Sequence, residues 1–135
     1  NTGFPRLFGI NTFTDTSGSD DLNYGQIWDA GNDQVNAFDP TTIATGQWYH
    51  FVVTWDGTTT RLYTDGTEVD TGTNASVGAF STSSMPFKIG GLTTAVNNHN
   101  GLLAMAGIWD VALTTDEIAT LYNGGEGAPY SEIWT

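Results

Sequence analysis

Gly46-Gln47-Trp48-Tyr49-His50-Phe51-Val52-Val53-Thr54-Trp55-Asp56-Gly57 is the stretch on which the fold turns. Side chains alternate sides along a strand, so Tyr49, Phe51, Val53 and Trp55 fall on one face and Trp48, His50, Val52 and Thr54 on the other. The first row is large and apolar and is expected to belong to a core. Asp56-Gly57 then ends the strand in a turn. Arg61 to Thr64 follows, then Asp65-Gly66, then Thr67 to Asp70. An Asp-Gly pair supplies the positive φ values of a type I′ turn, which makes this the strongest hairpin signal in the chain.

On the N-terminal side, Arg6 to Ile10 reads as a first strand and Thr14 to Asp21 as an exposed polar loop. Tyr24 to Asp29 and Gln34 to Phe38 flank the Gly31-Asn32 turn signal and read as a hairpin or as neighbouring strands. On the C-terminal side, Phe87 to Gly90 reads as a short strand introduced by Pro86. The run from Leu102 to Trp109 is apolar on both faces and is expected inside a sheet, covered on each side. Thr114-Thr115-Asp116-Glu117 is a capping box, so a helix starts there; Ile118, Leu121 and Tyr122 share one face of it, and Asn123-Gly124-Gly125 ends it. Many short strands with one helix imply an all-β, antiparallel two-sheet sandwich. Residues 1–135 read as a single domain, with 126–135 as a C-terminal tail carrying Tyr130 and Trp134.

The chain has 135 residues, enough to bury roughly 68–70% of the unfolded chain's surface. Fifteen acidic residues against three basic ones give a net charge of −12, a field that repels phosphate backbones and anionic lipid. Nucleic acid and membrane insertion are therefore excluded as expectations, and no apolar stretch reaches the length of a membrane span. Without cysteine there are neither disulfides nor thiolate metal sites. A chain that starts at Asn1 is expected to be a mature, trimmed or excerpted product.

The ordered set of Gly46 to Gly57, Arg61 to Gly66, Phe87-Lys88-Ile89-Gly90-Gly91, Asn100-Gly101-Leu102-Leu103, Ile108-Trp109, and Ala112-Leu113-Thr114 through Gly125 resembles the laminin-G-like, concanavalin A-like jelly-roll family. The resemblance covers about the last two thirds of the chain, and its specificity lies in the order of motifs that are individually weak. It implies a jelly-roll sandwich with a short C-terminal helix. It also implies an extracellular or particle-surface module, secreted, on a cell or on a virion, that recognises a glycan or protein without catalysis. Relatives usually open with one or two further strands, so the missing edge is expected to come from a neighbouring subunit or from Glu126 to Thr135, by strand addition. Many relatives place an acidic calcium ligand where this chain has Ala104 and Met105, whose side chains cannot ligate a hard cation.

Related sandwiches include glycoside hydrolases, which use two carboxylates roughly 5–9.5 Å apart. Glu68 and Asp70, two positions apart on a strand, would share a face and satisfy that need on paper, but solvated charges on a hairpin explain them more simply. Asp15, Asp20 and Asp21 crowd one loop, and Asp29 with Asp33 brackets another turn; both offer oxygens to calcium, but neither has the calcium-loop spacing. Tyr24, Gln26 and Trp28 share a strand face on which an amide lies between two aromatic rings, chemistry that suits a sugar as well as it suits a core. Asn97, Asn98 and His99 offer rim amides and an imidazole to hydroxyls, and turn chemistry accounts for them equally well. His50 reads as a structural strand residue. The functions in play are a carbohydrate-binding or adhesive module, a structural decoration or fibre subunit of a virus particle docking on its neighbours, and a glycoside hydrolase.

Overall fold

The Asp65-Gly66 turn is built as its residue types dictate: Asp65 sits at φ 50° and Gly66 at φ 76°, and the flanking strands pair from Thr64↔Thr67 outward. The computed structural model describes residues 8–14, 21–29, 33–78, 88–91 and 99–128. Among them run β1 (Phe8–Thr14), β2 (Asp21–Trp28), β3 (Gln34–Asp39), β4 (Phe51–Trp55), β5 (Thr59–Thr64), β6 (Thr67–Thr73) and α1 (Thr115–Tyr122), the last followed by a 3-10 turn over Asn123–Gly125. Two antiparallel three-stranded sheets, ordered β1-β2-β3 and β4-β5-β6, stack face to face as an all-β jelly-roll sandwich.

The inner faces follow from register. Gly25 pairs with Ala37 and Ile27 with Val35 in one sheet, and Val53 pairs with Leu62 in the other. Ile27, Val35, Ala37 and Leu62 are almost wholly buried between the layers. Each large aliphatic side chain removed from water in this way stabilises the fold by about 1.5–3 kcal/mol. The layers approach so closely that a Cβ at Gly25 would overlap Val53 Cγ2, and one at Gly72 of β6 would overlap the Asn36 carbonyl of β3.

Side chains also stitch β3 and its flanks to the opposite sheet. The Thr64 hydroxyl donates to Asp39 Oδ2 at 2.6 Å, the Phe38 amide to Asp70 Oδ2 at 2.7 Å, and Asn74 Nδ2 to the Gln34 carbonyl at 2.8 Å. Asp39 is buried, which by itself raises its pKa. Bonds from the Thr64 hydroxyl and from Thr41, whose amide reaches Oδ1 at 2.8 Å, outweigh that and hold it below the usual carboxylate range.

The Tyr49, Phe51, Val53, Trp55 row, expected in a core, places Val53 against Gly25 of the opposite sheet, but the outer face of β4–β5 is not left to water either. That row is only half-buried, whereas Val52 and Thr54 on the other face are buried. The reason is α1: its Ile118 is fully buried and clusters with Val52 and Tyr63, and Leu113 packs against them. The capping box forms as expected, with the Thr114 hydroxyl accepting from the Glu117 amide and Glu117 Oε2 accepting from the Thr114 amide at 2.7 Å. Asn123 closes the helix at φ 47°.

Other expectations shift. The first strand is Phe8–Thr14 instead of Arg6 to Ile10, and residues 6 and 7 lie outside the described set. Lys88 to Gly90 forms a bend with Gly90 at φ 77°, not a strand; Phe87 lies outside the described residues. The largest departure is Leu102 to Trp109, which forms no strand and is exposed apart from a half-buried Trp109. A strand needs a ladder partner, none of the described strands pairs with this run, and Met105 at φ 55° interrupts its extended path.

Candidate ligand-binding groove

Thr54 of β4 stands directly opposite Arg61 of β5, and Val52 opposite Tyr63, so all four point away from the inter-sheet core. Between this face and the segment leading into α1 lies an open groove of about 340 Å³, lined by Thr54, Arg61, Tyr63, Ala112, Leu113, Thr114 and Thr115. Leu113 is anchored on Tyr63, Val52 and Ile118, and the Thr114–Glu117 capping box fixes the bend that follows.

Arg61 is the cationic centre of the groove. Its Nη1 donates to Asp56 Oδ2 at 2.7 Å, and its Nε lies 3.9 Å from Glu68 Oε2, an ion pair too long for a hydrogen bond. Asp56 is itself organised by the turn: Oδ1 accepts from the Thr58 amide, the Thr58 hydroxyl and the Thr59 amide at 2.9–3.0 Å. The Arg61 bond first, then the Thr59 and Thr58 donors, hold the Asp56 carboxyl far below the usual carboxylate range. Tyr63 is buried and its hydroxyl donates to Glu68 Oε2 at 3.1 Å.

The paired-carboxylate expectation fails on register. Tyr63 pairs with Glu68 but Leu62 with Asp70, so β6 carries a bulge with Val69 as the extra residue. Glu68 therefore joins Arg61 and Tyr63 on the outer face, while Asp70 reaches the Phe38 amide of the opposite sheet. The two carboxylates do not share a face.

The remaining candidates scatter. Gln26 is buried, its Nε2 donating to Gln34 Oε1 and its Oε1 accepting from Trp28 Nε1, each at 3.4 Å; Trp28 is half-buried. Tyr24 belongs to β2, and its side chain is outside the described set. His99 is exposed, with its amide on the Gly90 carbonyl at 2.8 Å; Asn97 and Asn98 lie outside the described residues. Asp15 and Asp20 also lie outside them, and Asp21 opens β2. Asp29 is a structural acceptor, taking the Asp33 amide at 2.9 Å and the Gly78 amide at 3.0 Å. Among the described residues no three of His, Asp and Glu gather closely enough to hold a metal ion. Ala104 and Met105 bring no side-chain oxygen, so those two side chains cannot ligate a hard cation.

His50 is structural. Its ring stacks on Tyr122 at 5.8 Å, its backbone exchanges two hydrogen bonds with Asp65, and Nδ1 is buried without a partner among the described residues. Burial lowers its pKa, partly countered by the Asp65 charge.

A laminin-G family model, described as the concanavalin A-like lectin/glucanases superfamily, matches residues 6–119. The chain belongs to this family. Pappalysin-1 of Mus musculus is 29% identical over 117 residues, 84% of this chain, and the chain spans only 7% of that protein's length. A crystal structure of an S-layer domain-containing protein (residues 221–444) from Clostridium thermocellum shares the fold with a TM-score of 0.51 at 20% identity, over 86% of this chain and 63% of the other.

Sequence reasoning missed the groove as a site. The available signal was Arg61 itself, one of three basic residues in the whole chain and set within a strand. What could not be read was that the approach to α1, residues 112–115, supplies the opposing wall.

Proposed function

We propose that the chain is a non-catalytic recognition module acting outside the cell or on a particle surface, and that it binds a carbohydrate. The observation that carries this reading is the separation of Glu68 from Asp70 by the β6 bulge, which leaves each carboxylate tied to its own structural partner. Acid–base cleavage of a glycosidic bond needs two carboxylates flanking it. The outer face offers instead a groove lined by hydroxyls and one guanidinium, groups that hold a ligand without transforming it. The Tyr24, Gln26, Trp28 face, the Asn97, Asn98, His99 rim and a calcium-assisted Asp15, Asp20, Asp21 loop remain proposals for further contacts. Incubation with neutral and acidic oligosaccharides tests the reading: retention without release of reducing ends is expected. Release that disappears in a Glu68→Gln/Asp70→Asn double variant would make the protein a hydrolase.

A second reading has its own observation. Among the described strands β4 has a ladder neighbour on one side only, and Leu102, Leu103, Met105 and Ile108 are exposed. An edge strand and exposed apolar side chains each suit a subunit that docks on its neighbours, as in a virus decoration protein or another surface lattice. Concentration-dependent association in sedimentation supports this reading, and a monomer at all concentrations opposes it.

A further inference from the structure

Within the groove, Thr54 and Arg61 stand opposite each other on neighbouring strands. Thr54 is 6% exposed, lines the groove, and no hydrogen bond holds its hydroxyl among the described residues. Its hydroxyl oxygen is not among the wholly buried polar atoms that lack a partner, so it stays open to the groove, where a ligand hydroxyl can take the place of water. Thr114, by contrast, is saturated by Glu117. Directly across from Thr54, the Arg61 side chain is 33% exposed and gives one hydrogen bond, to Asp56, out of five N–H donors. Thr115 adds an exposed hydroxyl at the rim.

Charge narrows the ligand class. Arg61 is already balanced by Asp56 and Glu68, and the chain carries −12, so an anionic ligand meets net repulsion on approach. A neutral ligand bearing adjacent hydroxyls accepts from the guanidinium fork and both gives to and accepts from Thr54, without adding charge. Stacking is not the anchor, because Tyr63 is 2% exposed and its hydroxyl is engaged by Glu68. The volume, about 340 Å³, falls at the small end of the range for ligand pockets.

We propose that the groove between β4–β5 and residues 112–115 is the ligand site, taking one end of a neutral saccharide whose adjacent hydroxyls bridge Thr54 and Arg61. This rests on the carbohydrate reading above, and the test separates the two. The wild-type chain is screened on an array holding matched neutral, carboxylated and sulfated oligosaccharides, and the best neutral hit is then titrated against Thr54→Val and Arg61→Gln variants. Thr54→Val keeps the β-branched shape and removes only the hydroxyl, so an unchanged melting temperature certifies its fold. Each variant is expected to weaken the neutral hit about tenfold or more, the scale of one lost hydrogen bond, and acidic analogues to bind the wild type more weakly. Undiminished binding by Thr54→Val and Arg61→Gln would place the glycan elsewhere and overturn this site while leaving the carbohydrate reading intact. A preference for sulfated or carboxylated ligands would overturn the neutral class. An array on which the wild type binds nothing would defeat the carbohydrate reading itself.

Discussion

The β5–β6 hairpin and the 102–109 run have similar claims to be strands from their side chains, yet one is the centre of a sheet and the other pairs with nothing among the described strands. β5 reads as alternating, β-branched and aromatic residues, whereas 102–109 is apolar throughout. The difference lies in what stands beside them. β5 is bounded by Asp56-Gly57 on one side and Asp65-Gly66 on the other, turns that bring β4 and β6 into register within a few residues. Asn100-Gly101 offers turn residues just before the 102–109 run, but neither adopts a positive φ, so no type I′ turn forms there, and none of the described strands pairs with the run. Apolar composition states that a segment gains by burial; turn chemistry decides whether the chain supplies the burial locally.

The same substitution in the two regions gives the widest contrast. Leu62→Ala removes a fully buried side chain between the sheets and is expected to cost about 2–5 kcal/mol in a urea melt. If it cost less than about 1 kcal/mol, the inter-sheet core assigned to β5 would be wrong. Asp39→Ala comes next: it takes the acceptor from the Thr64 hydroxyl and the Thr41 amide, for a loss of about 1–3 kcal/mol by the same measurement. A neutral result there would mean the layers are held by apolar contact alone.

His50 sharpens the boundary between β4 and α1. Its folded pKa lies below the ordinary 6.5, so the unfolded chain takes up a proton first as the pH falls. The stability from neutral His50 is complete above 6.5 and declines below it, until the folded state also protonates. Denaturant midpoints across that window should show the decline in the wild type and lose this component in His50→Phe, which can still stack on Tyr122. The smallest effect belongs to Leu103→Ala, within about 0.5 kcal/mol, because Leu103 is 55% exposed and little contact is lost.

Much of this was legible. The Asp65-Gly66 hairpin, the pairing of Tyr24 to Asp29 with Gln34 to Phe38, and the Thr114–Glu117 capping box each rest on residues adjacent in sequence, and each formed. What period-2 reasoning could not see was non-local. The bulge at Val69 reverses the relation between Glu68 and Asp70, and nothing in that alternating pattern marks it. Burial of Val52 and Tyr63 depends on Ile118 arriving from a helix distant in sequence. The groove inherits both difficulties, because one wall is β4–β5 and the other is the approach to α1, and only Arg61 hinted at it.

Native-state hydrogen exchange on dilute, monomeric protein tests the contrast most directly. The account predicts that amides of Leu62 and Tyr63 open only with global unfolding, whereas those of Leu102 to Ile108 exchange at close to unprotected rates. Protection of the 102–108 amides equal to that of β5 would contradict it, because those residues would then be paired in a sheet.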